Sequence, residues 1–253
     1  MRMSDLAALL QKVHDASRPH VEDLVSLLSL EDEEDIKLLF SFADQVRRRH
    51  MGDGIFLRGI VEFSNYCTKS CAYCGLNKTN KTLSRYRMTA DEILAAIAMI
   101  VSQGLSTVVL QSGEDDGIKA AWLADVIGRI KARFDIAITL SIGERPEEDY
   151  RAWKEAGADR YLLKIETTDP ALYAALHPDM NLEHRRACLD ALKRLGYQTG
   201  SGSLIGLKGQ TLAHIASDIF YFQEQNFDML GIGPFIPHPA TDLGQESQGD
   251  ASL

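Results

Sequence analysis

No stretch of this chain is apolar for long enough to cross a bilayer. The longest such run, Ile93 to Val101, is less than half of the roughly 20 residues a spanning helix needs. No secretory leader is expected either: Asp5 precedes a short apolar stretch, Leu6 to Leu10, and no small-residue cleavage site follows. Positive charge is in deficit, with 27 Lys and Arg against 36 Asp and Glu, a net charge of −9. Proteins whose main partner is nucleic acid gather cations against phosphate, so that partner is not expected. The one compact basic run, Arg47-Arg48-Arg49-His50, closes a predicted helix, where cations complement the dipole. Cysteine is scarce, with four residues, and three of them are packed together. That usage suits metal binding in a reducing cytoplasm rather than a disulfide framework. Repeats and low-complexity tracts are absent. The remaining composition, 45% hydrophobic and 25% charged, is that of a globular chain with enough apolar material for its own core.

The first 50 residues read as two or three helices. Leu24, Val25, Leu27 and Leu28 form one apolar stripe; Ile36, Leu38, Leu39, Phe42, Ala43 and Val46 form another. The acidic run Glu31 to Asp35 favours the start of the second. From about residue 55, strands and helices alternate. Strands are expected at 55–63, 107–111, 136–141, 160–165, 198–204 and 228–232. Helices are expected at 89–103, opened by the capping box Thr89-Ala90-Asp91-Glu92, and at 120–133, 146–156, 170–176, 182–195 and 211–225. This alternation predicts an α/β fold with a parallel sheet, curled by right-handed crossovers into a TIM-type (β/α) barrel of about six strands. The expected division is an N-terminal helical cap over 1–50, a barrel core over 51–242 and a mobile tail over 243–253.

The chemistry-bearing run is Cys67-Thr68-Lys69-Ser70-Cys71-Ala72-Tyr73-Cys74. It offers three thiolates, where a closed zinc or iron–sulfur site takes four ligands. Three thiolates on a 4Fe–4S cube leave one iron open for a substrate or cofactor. The alternative is a zinc site completed from elsewhere, by His50 or Cys188, though neither falls at usual zinc spacing. Cys188, between Ala187 and Leu189, reads equally as core. In a parallel β/α fold, sites gather at the carboxyl ends of strands. Each expected strand does end in polar or Gly-rich sequence: Ser64-Asn65, Ser112-Gly113-Glu114-Asp115, Ser141-Ile142-Gly143-Glu144, Lys164-Ile165-Glu166-Thr167, Gly200-Ser201-Gly202-Ser203 and Gly231-Ile232-Gly233-Pro234.

The strings EFSNYCTKSCAYCGL, RYRMTADEI, LQSGEDD, GADRYLLKIET, GYQTGSGSLIGLKGQT and DMLGIGPFIPHPATDL together resemble one branch of the radical S-adenosylmethionine (SAM) superfamily. That branch is the iron–iron hydrogenase maturase HydE, a relative of biotin synthase and methylornithine synthase. The likeness runs from about Ile36 to the end. It implies a 4Fe–4S cluster on Cys67, Cys71 and Cys74, with SAM chelating the open iron. Reductive cleavage of SAM to a 5′-deoxyadenosyl radical would then serve assembly of the hydrogenase active-site cluster, the hard chemistry lying in the cofactor. Carried over by residue, Tyr73 lies near the adenine. Ser112-Gly113-Glu114 stands where many relatives have Gly-Gly-Glu, a segment whose backbone meets the SAM amino group. Glu166 hydrogen-bonds SAM. Arg185 pairs with its carboxylate through a guanidinium fork, Arg186 being the alternative one residue on. Ser141 faces the substrate cavity, and Ile232 packs near the adenine. No residue is assigned a catalytic role beyond these. His177 and His238 read as structural or solvent-exposed.

The implied partners are a small-molecule or organometallic iron substrate, other hydrogenase maturases, and a reductant protein such as ferredoxin or flavodoxin. Neither nucleic acid nor membrane is expected, and the implied compartment is the cytoplasm. Two alternatives stand beside this reading. One is a methylornithine- or biotin-synthase-like enzyme; the other is a non-catalytic cluster-binding scaffold or inactive fragment. The family continues through further βα units, so the chain, ending at Leu253, is expected to be a truncated form with an open barrel.

Overall fold

A computed structural model describes residues 2–249. Three helices come first: α1 (Met3–Asp15), α2 (Val21–Leu28) and α3 (Glu33–Met51). Asp32 caps α3, accepting from the N–H groups of Glu34 and Asp35, which is the role the acidic run suggested. Leu6, Leu10 and Leu27 form a small core among these helices.

The α/β body then alternates β1 (Gly59–Ser64), α4 (Ala90–Ser102), β2 (Thr107–Ser112), α5 (Ala120–Arg133), β3 (Ala137–Ser141), α6 (Glu147–Glu155) and β4 (Arg160–Leu162). It continues through α7 (Pro170–Leu176), α8 (Leu182–Arg194), β5 (Gln198–Ser201), β6 (Leu204–Ile205), α9 (Leu212–Gln225), β7 (Met229–Leu230) and β8 (Gly233–Pro234). Six strands form one parallel sheet in the order β1-β2-β3-β4-β5-β7, the arrangement of a partial TIM-type barrel. The N-terminal helices dock on its flank, where Leu24 packs with Ala216 and Phe220 of α9.

Alternation along the strands separates core from site. Leu110, Leu140 and Tyr161 point to the helices and are fully buried, with Trp153, Ile127 and Leu189 in the same core. Gln111, Ser141 and Leu162, each one residue on, point to the opposite face. Three aromatic residues tie this core together. Tyr161 donates to the Gly143 carbonyl at 2.8 Å, Tyr197 to the Tyr150 carbonyl at 2.6 Å, and Trp153 Nε1 to the Ala120 carbonyl at 3.0 Å.

The capping box at Thr89 and Glu92 forms reciprocally, as its sequence predicts. Several boundaries differ from expectation. The first strand begins at Gly59 and not Ile55, its pairing with β2 starting at Gly59 opposite Val108. Ile55, Phe56 and Leu57 are accordingly exposed. The fourth strand stops at Leu162 and the fifth at Ser201; after the fifth the chain goes on to β6, which pairs with β8 in a second, two-stranded sheet. Over its described part, the tail makes contacts with the body. Leu243 N–H donates to the Ala72 carbonyl at 3.1 Å, Gly249 N–H to the Phe235 carbonyl at 2.8 Å, and Lys208 pairs with Glu246. Residues 250–253 of that tail lie outside the described residues.

Gly202 sits where the main sheet meets the second one, and a Cβ there would collide with the Gly231 backbone. A backbone collision has no rotamer escape. Gly202→Ala is therefore expected to destabilise the fold by about 1–3 kcal/mol, read as a lower urea midpoint; an unchanged midpoint would show that the two strands can part freely.

Candidate active site

A cavity of roughly 300 Å³ opens at the carboxyl ends of β1 to β4. Its size falls at the lower end of small-molecule sites. Cys67, Cys71, Cys74 and Tyr73 line one wall, Ser112, Gly113 and Glu114 follow β2, Ser141 ends β3, Glu166 follows β4, and Arg185 reaches in from α8. Sequence positions spread over more than a hundred residues thus meet in one space.

The cysteine loop is fixed by its neighbours. Thr68 donates through N–H and Oγ1 to the Glu114 carbonyl, at 2.9 and 3.1 Å. Ala72 N–H donates to the Leu176 carbonyl at 2.9 Å. Gly113 makes the approach of β2 to this loop possible: a Cβ there would collide with the Tyr66 carbonyl and lie 2.8 Å from the Cys67 Cβ. All three thiols are half-buried and free. Burial, reinforced by the neighbouring Cys74 and Cys67, pushes the Cys71 thiol up to about 12, and burial also raises Cys74. Cys71 and Cys74 thus stay protonated near neutrality until a metal takes them as thiolates and releases protons.

Arg185 is only 6% exposed. Its Nε lies 2.9 Å from Glu144 Oε1 and 3.4 Å from the Tyr173 hydroxyl, to which it donates, while Nη2 lies 3.6 Å from Glu114 Oε1. Burial works against the guanidinium charge, but Glu144, Tyr173 and Glu114 together more than reverse that and raise its pKa. Burial raises the Glu114 carboxyl, with Arg185 opposing. Arg186 points elsewhere. It pairs with Glu183 at 2.9 Å and lies over the Tyr221 ring, outside the cavity.

Glu166 adopts φ 65°, a left-handed conformation unusual for a residue with a side chain. Two bonds hold it there: its N–H donates to the Gly202 carbonyl at 2.9 Å, and its carbonyl accepts from Leu204 N–H at 3.1 Å. Strain of this kind concentrates at functional sites. Burial raises its carboxyl; Lys164 Nζ, 3.1 Å from Oε2, opposes the rise. Tyr73 donates to Glu166 Oε1 at 3.4 Å and lies 3.2 Å from His177 Nε2. Burial pushes His177 down to about 3, so this ring is neutral.

The structure separates some residues the sequence had grouped. Ile232 is 53% exposed and lines a different cavity, between the ends of α1 and α9, together with Leu230, which is also exposed. His238 is exposed beside Gly75. His50 and Cys188 are not in the cavity wall. Among the described residues no three His, Cys, Asp or Glu side chains converge on a single ion. A cube takes each thiolate at a different corner iron and needs no such convergence.

His177, expected to be structural or exposed, is buried and lines the cavity. Lys164 and Glu144 were not singled out from the strand-end segments that contain them. Glu144 carried one signal, a carboxylate just past the carboxyl end of a strand. Glu144→Ala would leave Arg185 buried with Glu114 as its remaining carboxylate, so a loss on the order of 3 kcal/mol is expected. Glu183→Ala, on the exposed partner of Arg186, should change stability by under about 1 kcal/mol. Equal urea midpoints for the two variants would contradict the assigned importance of the buried pair.

Comparison with known proteins accounts for the arrangement. The Radical SAM superfamily pattern matches residues 61–221. The chain is 49% identical over 232 residues to the [FeFe] hydrogenase maturase subunit HydE of Thermotoga maritima, covering 92% of this chain and 66% of that protein. It is 27% identical over 245 residues to 3-methylornithine synthase of Methanosarcina acetivorans, covering 96% and 69%. The chain thus spans about two thirds of the length of these relatives. Among solved structures, methylornithine synthase (PylB) superposes with a TM-score of 0.88 at 28% identity, over 94% of this chain and 70% of that one. The FeFe-hydrogenase maturase HydG from Carboxydothermus hydrogenoformans gives a TM-score of 0.82 at 24% identity, over 94% and 58%, a likeness of fold. With three half-buried thiols on a carboxyl-rim cavity and this pattern across its parallel sheet, the chain belongs to the radical SAM superfamily.

Proposed function

We propose that this chain is the radical SAM body of a HydE-type maturase acting in assembly of the iron–iron hydrogenase active-site cluster. The observation that carries the reading is the 49% identity to HydE across 92% of the chain. The residues present fit the two groups the family implies. Cys67, Cys71 and Cys74 supply three sulfur donors to a 4Fe–4S cluster and leave one iron without a protein thiolate. Glu114, Glu166 and Arg185 bring two carboxylates and a guanidinium to the cavity wall beside the thiols, so the wall offers polar groups to a ligand. When bound, the cluster and SAM would supply reductive carbon–sulfur cleavage and a 5′-deoxyadenosyl radical.

The protein's part is placement. Arg185 offers a fixed positive fork to a carboxylate, and Glu144 orients it. Glu166 accepts hydrogen bonds at the end of β4, steadied by Tyr73 and Lys164. The Ser112-Gly113-Glu114 backbone and Ser141 complete the polar wall, and Tyr73 offers a ring face for the adenine. Ile232, exposed beside Leu230 and outside this cavity wall, is left out of this set.

The partners we propose are a small-molecule or organometallic iron substrate, other hydrogenase maturases and a low-potential reductant protein. Among the described residues no helix is long and apolar enough to cross a membrane. We place the protein in the reducing cytoplasm, which suits free thiols and an oxygen-sensitive cluster. The fold match to methylornithine synthase supports a second reading, an enzyme acting on an amino acid. Anaerobic reconstitution with SAM and a reductant should yield 5′-deoxyadenosine; no product would favour a non-catalytic scaffold. Activation of an apo-hydrogenase in the presence of the other maturases should follow, and failure there with 5′-deoxyadenosine still formed would favour the second reading.

A further inference from the structure

We infer that the exposed turn at Lys78 to Lys81 is the docking face for an acidic one-electron carrier protein that reduces the cluster. The inference rests on the cluster reading above and adds where the electron enters. From Phe63 to Ala90 there are five Lys or Arg residues and no Asp or Glu, in a chain of net charge −9. On a chain of net negative charge, a segment with cations and no carboxylates of its own attracts an acidic carrier, which is how complementary charge orients an encounter.

Three of these cations are engaged by neighbours. Arg85 donates to the carbonyls of Asn65, Leu76, Asn77 and Asn80 and so organises the loop. Arg87 grips Asp115 through two bonds, and Lys69 faces Glu114 at 3.6 Å. Lys78 and Lys81 stand outward. Lys81 donates to the Lys78 carbonyl at 3.0 Å, with no carboxylate partner among the described residues. Lys78 meets Asp179 at 2.7 Å, yet its side chain remains 48% exposed.

The turn is already folded. Asn77 Oδ1 accepts from Thr79 N–H, Thr79 Oγ1 and Asn80 N–H, and Asn80 Oδ1 accepts from Thr82 N–H and Oγ1. Docking there costs little ordering entropy. The turn is also bonded to the cysteines. Asn77, the neighbour of Lys78, donates through N–H and Nδ2 to the Cys74 carbonyl at 3.0 and 2.8 Å. Lys78 N–H donates to the carbonyl of Lys69, which lies between Cys67 and Cys71. An electron arriving at the turn is one hydrogen bond from a cluster ligand residue. The step balances simply: the carrier loses one electron, the cluster gains one, and no bond or proton is exchanged.

The test compares the reconstituted chain with Lys81→Glu and with Lys78→Gln/Lys81→Glu. Bleaching of the cluster is followed by anaerobic stopped-flow absorbance after mixing with a reduced acidic flavodoxin. At low salt the double variant should react about tenfold more slowly and Lys81→Glu by a smaller factor. The parent's rate should fall as salt is added, and the double variant's should hardly change. Photoreduced deazaflavin, a small donor, should reduce all three at one rate, with equal iron content. An unchanged flavodoxin rate in the double variant, or a parent rate insensitive to salt, overturns the docking face. So does equal slowing with deazaflavin, which would place the effect in the cluster itself. A parent chain that takes up no iron overturns the cluster reading, and the docking face with it.

Discussion

Cys71→Ser is expected to abolish the iron–sulfur cluster. Anaerobic reconstitution of the parent chain should give about four irons per chain with broad charge-transfer absorbance, and the variant should give close to none. The expectation follows from geometry and charge together. Burial and its two cysteine neighbours push the Cys71 thiol up to about 12. A thiol this reluctant to ionise becomes a ligand only because several iron–sulfur bonds form at once and release the protons. A serine hydroxyl, a harder and far weaker acid, ends that compensation. Cys67→Ser and Cys74→Ser should behave alike, because two remaining thiolates do not hold a cube. Cys188→Ser separates ligation from general damage to thiols: Cys188 is buried in α8 outside the cavity wall, and its variant should keep the full iron content. Stoichiometric zinc with no iron, or a Cys71→Ser chain that retains four irons, would defeat the cluster assignment.

The sequence reached the cysteines and the strand ends because both are local signals. Three thiols within eight residues need no tertiary information, and polar, Gly-rich punctuation after each strand follows from the rule that β/α sites sit on the carboxyl rim. Helices with caps, such as the one opened by Thr89 and Glu92, were legible to within a residue for the same reason. What escaped was relational. Whether Arg185 or Arg186 faces the cavity depends on the rotation of α8 against the sheet, and only packing sets that rotation. His177 has Pro178 beside it and reads as loop, yet it follows the end of α7 and is buried against Tyr73 and Tyr173. Ile232 lies between two glycines just past a strand end, as a cofactor-packing residue would, but it is exposed with Leu230 and lines a different cavity. The small sheet of β6 and β8 was unreadable because each strand is two residues long, below any periodic signal. The left-handed backbone at Glu166 was equally hidden, since nothing in a Lys-Ile-Glu-Thr string demands a positive φ.

Arg185→Ala is expected to weaken SAM binding by about 1.5–3 kcal/mol, the range for hydrogen bonds to a charged group. That is roughly a 10- to 140-fold rise in dissociation constant. The guanidinium is held at one end and open at the other. Its Nε is engaged by Glu144 at 2.9 Å, a short contact that fixes the plane of the fork, whereas Nη2 reaches Glu114 only at 3.6 Å. An incoming carboxylate needs only to take over the longer contact. Arg185→Lys keeps the charge but loses the planar fork, so its affinity should fall between parent and alanine variant. Arg186→Ala should leave affinity unchanged, because Arg186 is turned to Glu183 and the Tyr221 ring. Neither arginine is a cluster ligand, and iron content should stay at parent level in all three variants. Since Arg185→Ala also leaves Glu144 buried without its cation, calorimetric titration with SAM should be run below the variant's unfolding range and normalised to iron. A loss of affinity in Arg186→Ala with none in Arg185→Ala would reverse the assignment. Unchanged affinity in both, at full iron content, would remove the SAM carboxylate from this side of the cavity.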